Sequence, residues 1–315
     1  MNLNNNKVNA KSTVDISLVH KLHKDEMFLL NCIPFDSGYK ANARLSKHSY
    51  FCDHIKPLTD LMFILECARQ AETYILHKYE HQSADTRFIL TEWSSSISGY
   101  FTPTVDLLDE NINLTINTYN SRRAQNKILS QQYKVDARLG HVDMATIYMS
   151  VKYMTDEAYR KIRNIINKNA QNQSEFIFNQ SMNVSPEYVY RSNVNNIVIK
   201  APQFKNHKVI SSLTVNMNNT AYFDHPQDHY PAMVLMEAGK QNCQILIYIT
   251  KLNSTPILTT MKSKFFHYAE LDKDIQIISE EIPGMQRDEI EFKVLLVQKE
   301  KSIAEMVYLF KMIDI

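Results

Sequence analysis

A motif near position 54 returns 171 residues later without a gap. The first copy reads FCDHIKPLTDLMFILECARQAETYI and the second YFDHPQDHYPAMVLMEAGKQNCQIL. At that one offset Asp53-His54 matches Asp224-His225, Met62 matches Met233, Glu66 matches Glu237, Arg69 matches Lys240 and Gln70 matches Gln241. Between them the apolar identities drift, Phe63-Ile64-Leu65 against Val234-Leu235-Met236, while the apolar character stays. An acid, a cation and a glutamine repeated inside two apolar segments mark a tandem duplication. A chain of 315 residues has room for two units of about 150 each.

Periodicity alone does not separate a buried helix from a buried strand, but length does. The first apolar segment, 58–79, is too long for one strand and is rich in Leu, Met, Ala, Glu, Gln and Arg. Pro57 and Pro231 stand where the two helices would begin. Partial alternation of polar and apolar residues predicts strands around them. These fall at 26–34, 40–46, 86–98, 111–120, 124–139 and 143–154 in the first half. In the second half they fall at 196–201, 209–217, 244–251, 256–269, 274–281, 289–298 and 302–312. A second helix is predicted over 156–167, followed by an Asn/Gln/Ser linker. Each half is then one long helix wrapped by an antiparallel sheet, which is the hotdog architecture. The expected fold class is α+β, a tandem (double) hotdog closing as an intramolecular pseudo-dimer, with further homo-oligomerisation left open. Its parts would be a disordered tail 1–13, a first domain 14–166, a linker 167–180 and a second domain 181–315.

Composition removes several function classes. Thirty-five basic residues against thirty-four acidic ones leave a formal charge of +1, so no strong field invites a nucleic acid. Gly38, Gly99, Gly140, Gly239 and Gly284 are too scattered for a phosphate-cradling loop. There is no HExxH, no Cys/His cluster with zinc spacing and no GxSxG, so no metal and no cofactor is expected. Cys32, Cys52, Cys67 and Cys243 form no CxxC pair and read as buried reduced thiols, which fits a cytoplasmic protein. The N-terminus lacks a signal-peptide apolar core, and no apolar run is long enough to span a membrane.

The chemistry sits in the repeated motif. Glu66 and Arg69 are three apart and share a helix face. Burying either charge alone is costly, so they pair with each other or line a polar cavity. Glu237 and Lys240 repeat the arrangement. A structural tie between helix and sheet remains the alternative to a site. His54 and His225 precede the acids by twelve residues, and His229 is a further candidate in the second copy. A histidine beside a buried carboxylate can serve general acid–base catalysis. For each of these histidines a loop position without chemistry is the competing explanation. A helix N-terminus beside them can hold a developing oxyanion. The catalytic candidates are thus Glu66, Glu237, His54, His225 and His229; the substrate-binding candidates are Arg69, Lys240, Gln70 and Gln241.

A histidine, an apolar stretch and E-x-x-x-Q on a central helix resemble the hotdog dehydratases that act on acyl thioesters. The tandem form is more similar to the A-factor biosynthesis (AfsA-like) family, synthases of γ-butyrolactone-type signals. The resemblance rests on LVHK at 18–21, SYFCDH with LECARQAE in copy one, and VYRSNVNNIVI with YFDHPQDHYPAMVLMEAGKQ in copy two, and spans the chain from about 17 onward. It implies transfer of a β-ketoacyl group from an acyl carrier protein or acyl-CoA thioester to the hydroxyl of dihydroxyacetone phosphate, with later closure to a butenolide. It carries over Glu66 and Glu237. Lys240 stands where the family has arginine, Gly239 where alanine is usual, and Ala232 where glycine is. A lysine keeps the charge but loses the planar fork, which Arg69 can supply. Dehydration or hydrolysis of a thioester, with His54 or His225 as base, is an alternative, as is a non-catalytic acyl-binding protein. The stronger signature in the second copy favours Glu237, helped across the interface by the first half.

Overall fold

The computed structural model describes residues 13–44, 53, 60–98, 111–168, 184–205, 207–251, 254–284 and 288–314. The first half is built from β1 (Leu29–Phe35), β2 (Gly38–Arg44), α1 (Leu61–Lys78), β3 (Arg87–Ile97), β4 (Asn111–Ala124), β5 (Lys127–Leu139) and β6 (Val142–Met154). Helix α2 (Asp156–Lys168) follows. The second half repeats the order with β7 (Ile199–Lys205), β8 (Lys208–Leu213), α3 (Ala232–Thr250), β9 (Ser254–Phe265), β10 (Gln276–Ile282), β11 (Glu289–Gln298) and β12 (Lys301–Asp314). Burial alternates along β5 and β11, so each strand turns one face to its helix and one to solvent.

All twelve strands form one sheet in the order β1-β2-β4-β5-β6-β3-β9-β12-β11-β10-β8-β7. The described pairings are antiparallel throughout. The halves join where β3 meets β9, with Glu92 opposite Lys264 and Trp93 opposite Ser263. The duplication offset carries Glu92 onto Ser263 and Trp93 onto Lys264, so the seam is self-complementary. A local twofold axis therefore runs between these residues, as at an isologous dimer interface. The tandem hotdog is thus realised within one chain.

Sixteen of the eighteen residues of α1 are buried, and fourteen of the nineteen in α3. Such all-round burial fits the flat apolar patterning of both segments. It also explains one correction: the strand expected at 244–251 is the last turns of α3. Its run of Ile and Tyr suits a strand by propensity, but Ile245, Leu246 and Ile247 are buried as the helix continues through the curved sheet. Asp60 caps α1, its carboxylate accepting from the Met62 N–H at 3.0 Å, so the helix begins at Leu61. Pro57 and the start expected at 58 lie outside the described residues, as do the 1–12 part of the tail and the linker beyond Lys168. Cys32, Cys67 and Cys243 are buried in the core; Cys52 lies outside the described residues. No helix among the described residues is long and apolar enough to cross a membrane.

Candidate active site

Polar residues buried on a helix must find partners nearby. Gln70 shows how α1 finds them. Its Oε1 accepts from the N–H groups of Phe28 and Leu29 at 2.9 and 3.2 Å, and its Nε2 donates to Glu26 O and Glu66 Oε1 at 2.8 and 2.9 Å. Gln241 repeats this with the Val198 N–H, Asn196 O and Glu237 Oε1. The two glutamines thus tie helix to sheet and aim the glutamates, rather than facing a ligand.

Each glutamate meets two cations. Glu66 receives the Arg69 fork, two bonds of 2.7 Å, and Lys21 Nζ at 3.2 Å. Glu237 receives Lys240 at 3.0 Å and Arg191 at 2.7 Å. Lys21 and Arg191 follow short 3-10 turns that close on left-handed residues, His20 at φ 52° and Tyr190 at φ 54°. They are equivalent residues in the two halves, although the spacing back to them differs by one position from the motif offset. Neither was singled out as a site residue from sequence. The signal was present in the LVHK and VYRS segments, but a partner some 45 residues from its acid is visible only after folding.

Asp53 and Asp224 tie the halves together reciprocally. Asp53 accepts from the N–H groups of Ser192 and Asn193 and from Asn196 Nδ2 at 2.7 Å, and it also bonds the Ser192 hydroxyl. Asp224 accepts from the N–H groups of Leu22 and His23 at 2.5 and 3.0 Å. Each motif aspartate therefore grips the loop that carries the other half's second cation.

The two halves differ where this symmetry would place a substrate. In one, Asp60 of α1 reaches Lys240 Nζ at 2.9 Å and Arg191 at 3.4 Å, beside Glu237. Glu237 is 0% exposed, and this cluster is closed. In the other, the position of Asp60 is taken by Pro231, the N-cap of α3, which has no side-chain cap. The first amide groups of α3, at Ala232 and Met233, have no partner within the helix. There Glu66, Arg69 and Lys21 open onto a cavity of about 2000 Å³ lined by residues of both halves. The expectation that favoured Glu237 is thus at odds with the geometry: Glu237 lies in the closed cluster and Glu66 at the cavity wall.

His225 and His229 line this cavity; His54 lies outside the described residues. His225 sits by Asp224 at 3.7 Å and by Gln227 at 2.6 Å. His229 Nδ1 lies 2.7 Å from Asp228 Oδ1, an arrangement that leaves Nε2 as the basic nitrogen. Tyr159 of α2 donates to Asp228 at 2.8 Å, and Arg163 bonds both Asp228 and Glu270, the latter with two contacts of 2.5 and 2.6 Å. The His229 hydrogen bond and the nearby Tyr159 and Arg163 hold the Asp228 carboxyl far below its usual range, against the effect of burial. Tyr159 and Arg163 lie on α2, outside the repeated motif, so the motif carried no signal for them.

Burial would raise the Glu66 carboxyl, but Arg69 and Lys21 bring it down to about 2. It is a firmly ionised, weak base. Glu72, six residues further along α1, behaves oppositely. Burial raises it to about 7 despite a 2.6 Å bond from the Tyr153 hydroxyl. His20 is pushed down to about 3 by burial, with His77 and Arg69 adding to the effect, and is neutral. Its Nε2 lies 2.8 Å from His77 Nε2, while His77 Nδ1 donates to Gln82 O. Among the described residues no cluster of three or more metal-ligating side chains occurs.

Fold and site together define a double hotdog with an open cleft between its halves. It superposes on the 12:0-ACP thioesterase of Umbellularia californica with a TM-score of 0.54 at 8% identity, covering 89% of this chain and all of that one. The dehydratase domain of RzxB from Pseudomonas fluorescens gives 0.50 at 11% identity, over 90% and 98% of the two chains. These likenesses establish the fold alone. The model of the A-factor biosynthesis hotdog domain matches residues 4–155 and again 172–314. The chain belongs to that family. A relative from Streptomyces virginiae, 2-oxo-3-(phosphooxy)propyl 3-oxoalkanoate synthase, is 25% identical over 299 residues, 93% of this chain and 95% of that protein.

Proposed function

We propose that the protein is an acyltransferase. It moves a β-ketoacyl group from a thioester of acyl carrier protein or coenzyme A to a hydroxyl of dihydroxyacetone phosphate or a similar acceptor. The observation that carries this reading is the cavity where Glu66, Arg69 and Lys21 of one half face His229 and the uncapped start of α3 in the other. The name of the Streptomyces virginiae relative describes a 3-oxoalkanoate ester of a phosphorylated three-carbon ketone, the product such a transfer would make. In this reading His229 Nε2 takes the proton of the acceptor hydroxyl, with Asp228 and Tyr159 holding the imidazole. The alkoxide oxygen attacks the thioester carbon, the C–S bond breaks, and the thiolate leaves with that proton. Glu66 keeps Arg69 in place rather than acting as the base, because a carboxylate near 2 accepts a proton poorly at neutral pH. Leu90, Met149, Val151, Met233 and Leu235 offer the acyl chain an apolar wall. The buried thiols suit a reducing compartment such as the cytoplasm.

The test is incubation of β-ketoacyl thioesters of several chain lengths with dihydroxyacetone phosphate, followed by mass spectrometry. The expected product is the phosphorylated ester or its butenolide. Release of free acid without acceptor dependence would make the protein a thioesterase; enoyl product would make it a dehydratase. Tight binding without turnover at every chain length would make it an acyl-binding protein.

A further inference from the structure

The closed half displays a bound carboxylate at the place that matters in the open one. Asp60 Oδ2 lies 2.9 Å from Lys240 Nζ and 3.4 Å from Arg191, and Oδ1 accepts from the Met62 N–H at 3.0 Å. Two cations and a helix-start amide therefore surround one anionic group. Each has a counterpart around the cavity: Arg69 for Lys240, Lys21 for Arg191, and the Met233 amide for that of Met62. The match is structural as well as sequential. Lys21 and Arg191 follow equivalent left-handed residues, and each bonds the glutamate of its own helix. The counterpart of Asp60 is Pro231, which brings no carboxylate.

Charge points the same way. Among the described residues the closed cluster sets Glu237 and Asp60 against Lys240 and Arg191. The open cluster sets Glu66 alone against Arg69 and Lys21. Three other acids face it. Burial pushes Glu26 toward its neutral form, and does the same to Glu72. Asp224 stays ionised, but its two oxygens are turned to the Leu22 and His23 amides rather than to the place that Asp60 fills in the other half. Lys21 and Glu66 are nearly buried, so Lys21 and its neighbour Arg69 act from a poorly solvated place, reinforced by the start of α3.

We propose that Arg69, Lys21 and the Met233 amide form the subsite for the anionic group of a substrate, a phosphate monoester or a carboxylate, held as Asp60 is held in the other half. The proposal rests on the cavity being the active site, but not on acyl transfer itself.

Pro231→Asp tests it by placing a tethered carboxylate in the open half. Aspartate is a good N-cap, so this variant should melt higher than the wild type in buffer alone. Calorimetric titration and thermal shift are then run with dihydroxyacetone phosphate, inorganic phosphate, acetate and uncharged dihydroxyacetone. The wild type should bind dihydroxyacetone phosphate at least about tenfold more tightly than dihydroxyacetone, the equivalent of one charge-assisted contact. Preference for phosphate over acetate would name the phosphate monoester, and the reverse the carboxylate. Pro231→Asp should lose about tenfold in anion affinity, while Pro231→Asn, of like size without the charge, should keep it. Should Pro231→Asp fail to fold, Arg69→Gln makes the same comparison. Equal wild-type affinity for dihydroxyacetone and its phosphate would overturn the proposal, as would anion binding equal in Pro231→Asp and Pro231→Asn. Anion binding without acyl transfer would leave the subsite standing and remove the function. Acyl transfer to dihydroxyacetone and its phosphate at the same KM would do the opposite.

Discussion

Replacing the two motif glutamates one at a time by glutamine should produce opposite phenotypes. Glu237 is fully buried with Arg191 and Lys240, whose side chains are 0% and 2% exposed. Among the described residues Glu237→Gln leaves those two cations with Asp60 as their carboxylate, in a place shut off from water. Removing one partner from a buried ion cluster costs about 3–5 kcal/mol. At roughly 2–4 °C per kcal/mol for a chain of this size range, Tm should fall by on the order of 10 °C. Glu66→Gln strands Arg69 and Lys21 beside an open cavity, and the Arg69 side chain is already 27% exposed. It can rehydrate, so the stability loss should stay near 1 kcal/mol, within the range of partly exposed pairs. Turnover should instead fall by about 100-fold, because the cation that positions substrate loses its anchor. Differential scanning calorimetry with acceptor-dependent thiol release reads both effects. If Glu237→Gln melts with the wild type and loses turnover as fully as Glu66→Gln, the assignment of an open and a closed half is wrong.

Three further outcomes follow from particular contacts. Asp228→Asn should keep the fold but lower kcat by about 10²–10⁴-fold, since an asparagine no longer fixes the His229 tautomer; steady-state kinetics of the folded variant read it. Glu72, raised from 4.5 to about 7, holds its proton in the folded state and sheds it on unfolding between those pH values. Stability should therefore decline as pH rises from about 4.5 to 7, by up to about 3 kcal/mol, and stay reduced above 7. Glu72→Gln should raise Tm relative to the wild type at pH 8 and leave it little changed at pH 4.5. Gly239→Ala should destabilise by about 1–3 kcal/mol, because a methyl there would meet the Tyr308 hydroxyl at 2.7 Å. Tyr308→Phe should relieve part of that, since the ring carbons at 3.1 and 3.2 Å remain, as judged by urea midpoints of the single and double variants.

Much of the fold was legible because duplication leaves a trace independent of local propensity. One constant offset aligned acid, cation and glutamine, and length turned two apolar runs into helices. The strand expected at 244–251 failed for a local reason: a β-branched run looks the same inside a helix buried on all sides as inside a strand. The site was legible only in part. Glu66, Arg69, His225 and His229 do line the cavity, while Gln70 and Gln241 turn out to be structural ties.

By itself the sequence determined the duplication, the two buried helices, the pairing of each acid with a cation at i+3 and the absence of any strong charge field. These depend on spacing along the chain, which sequence records directly. Only the tertiary structure decided which copy opens. That outcome turns on Asp60 meeting Lys240 and Arg191 across the interface, while Pro231, at the equivalent position, brings no carboxylate to the cavity that Arg69 and Lys21 line. It also turns on α2 bringing Tyr159 and Arg163 to Asp228. Electrostatic complementarity between residues 65 to 180 positions apart is a property of distance in space, and spacing in sequence does not carry it.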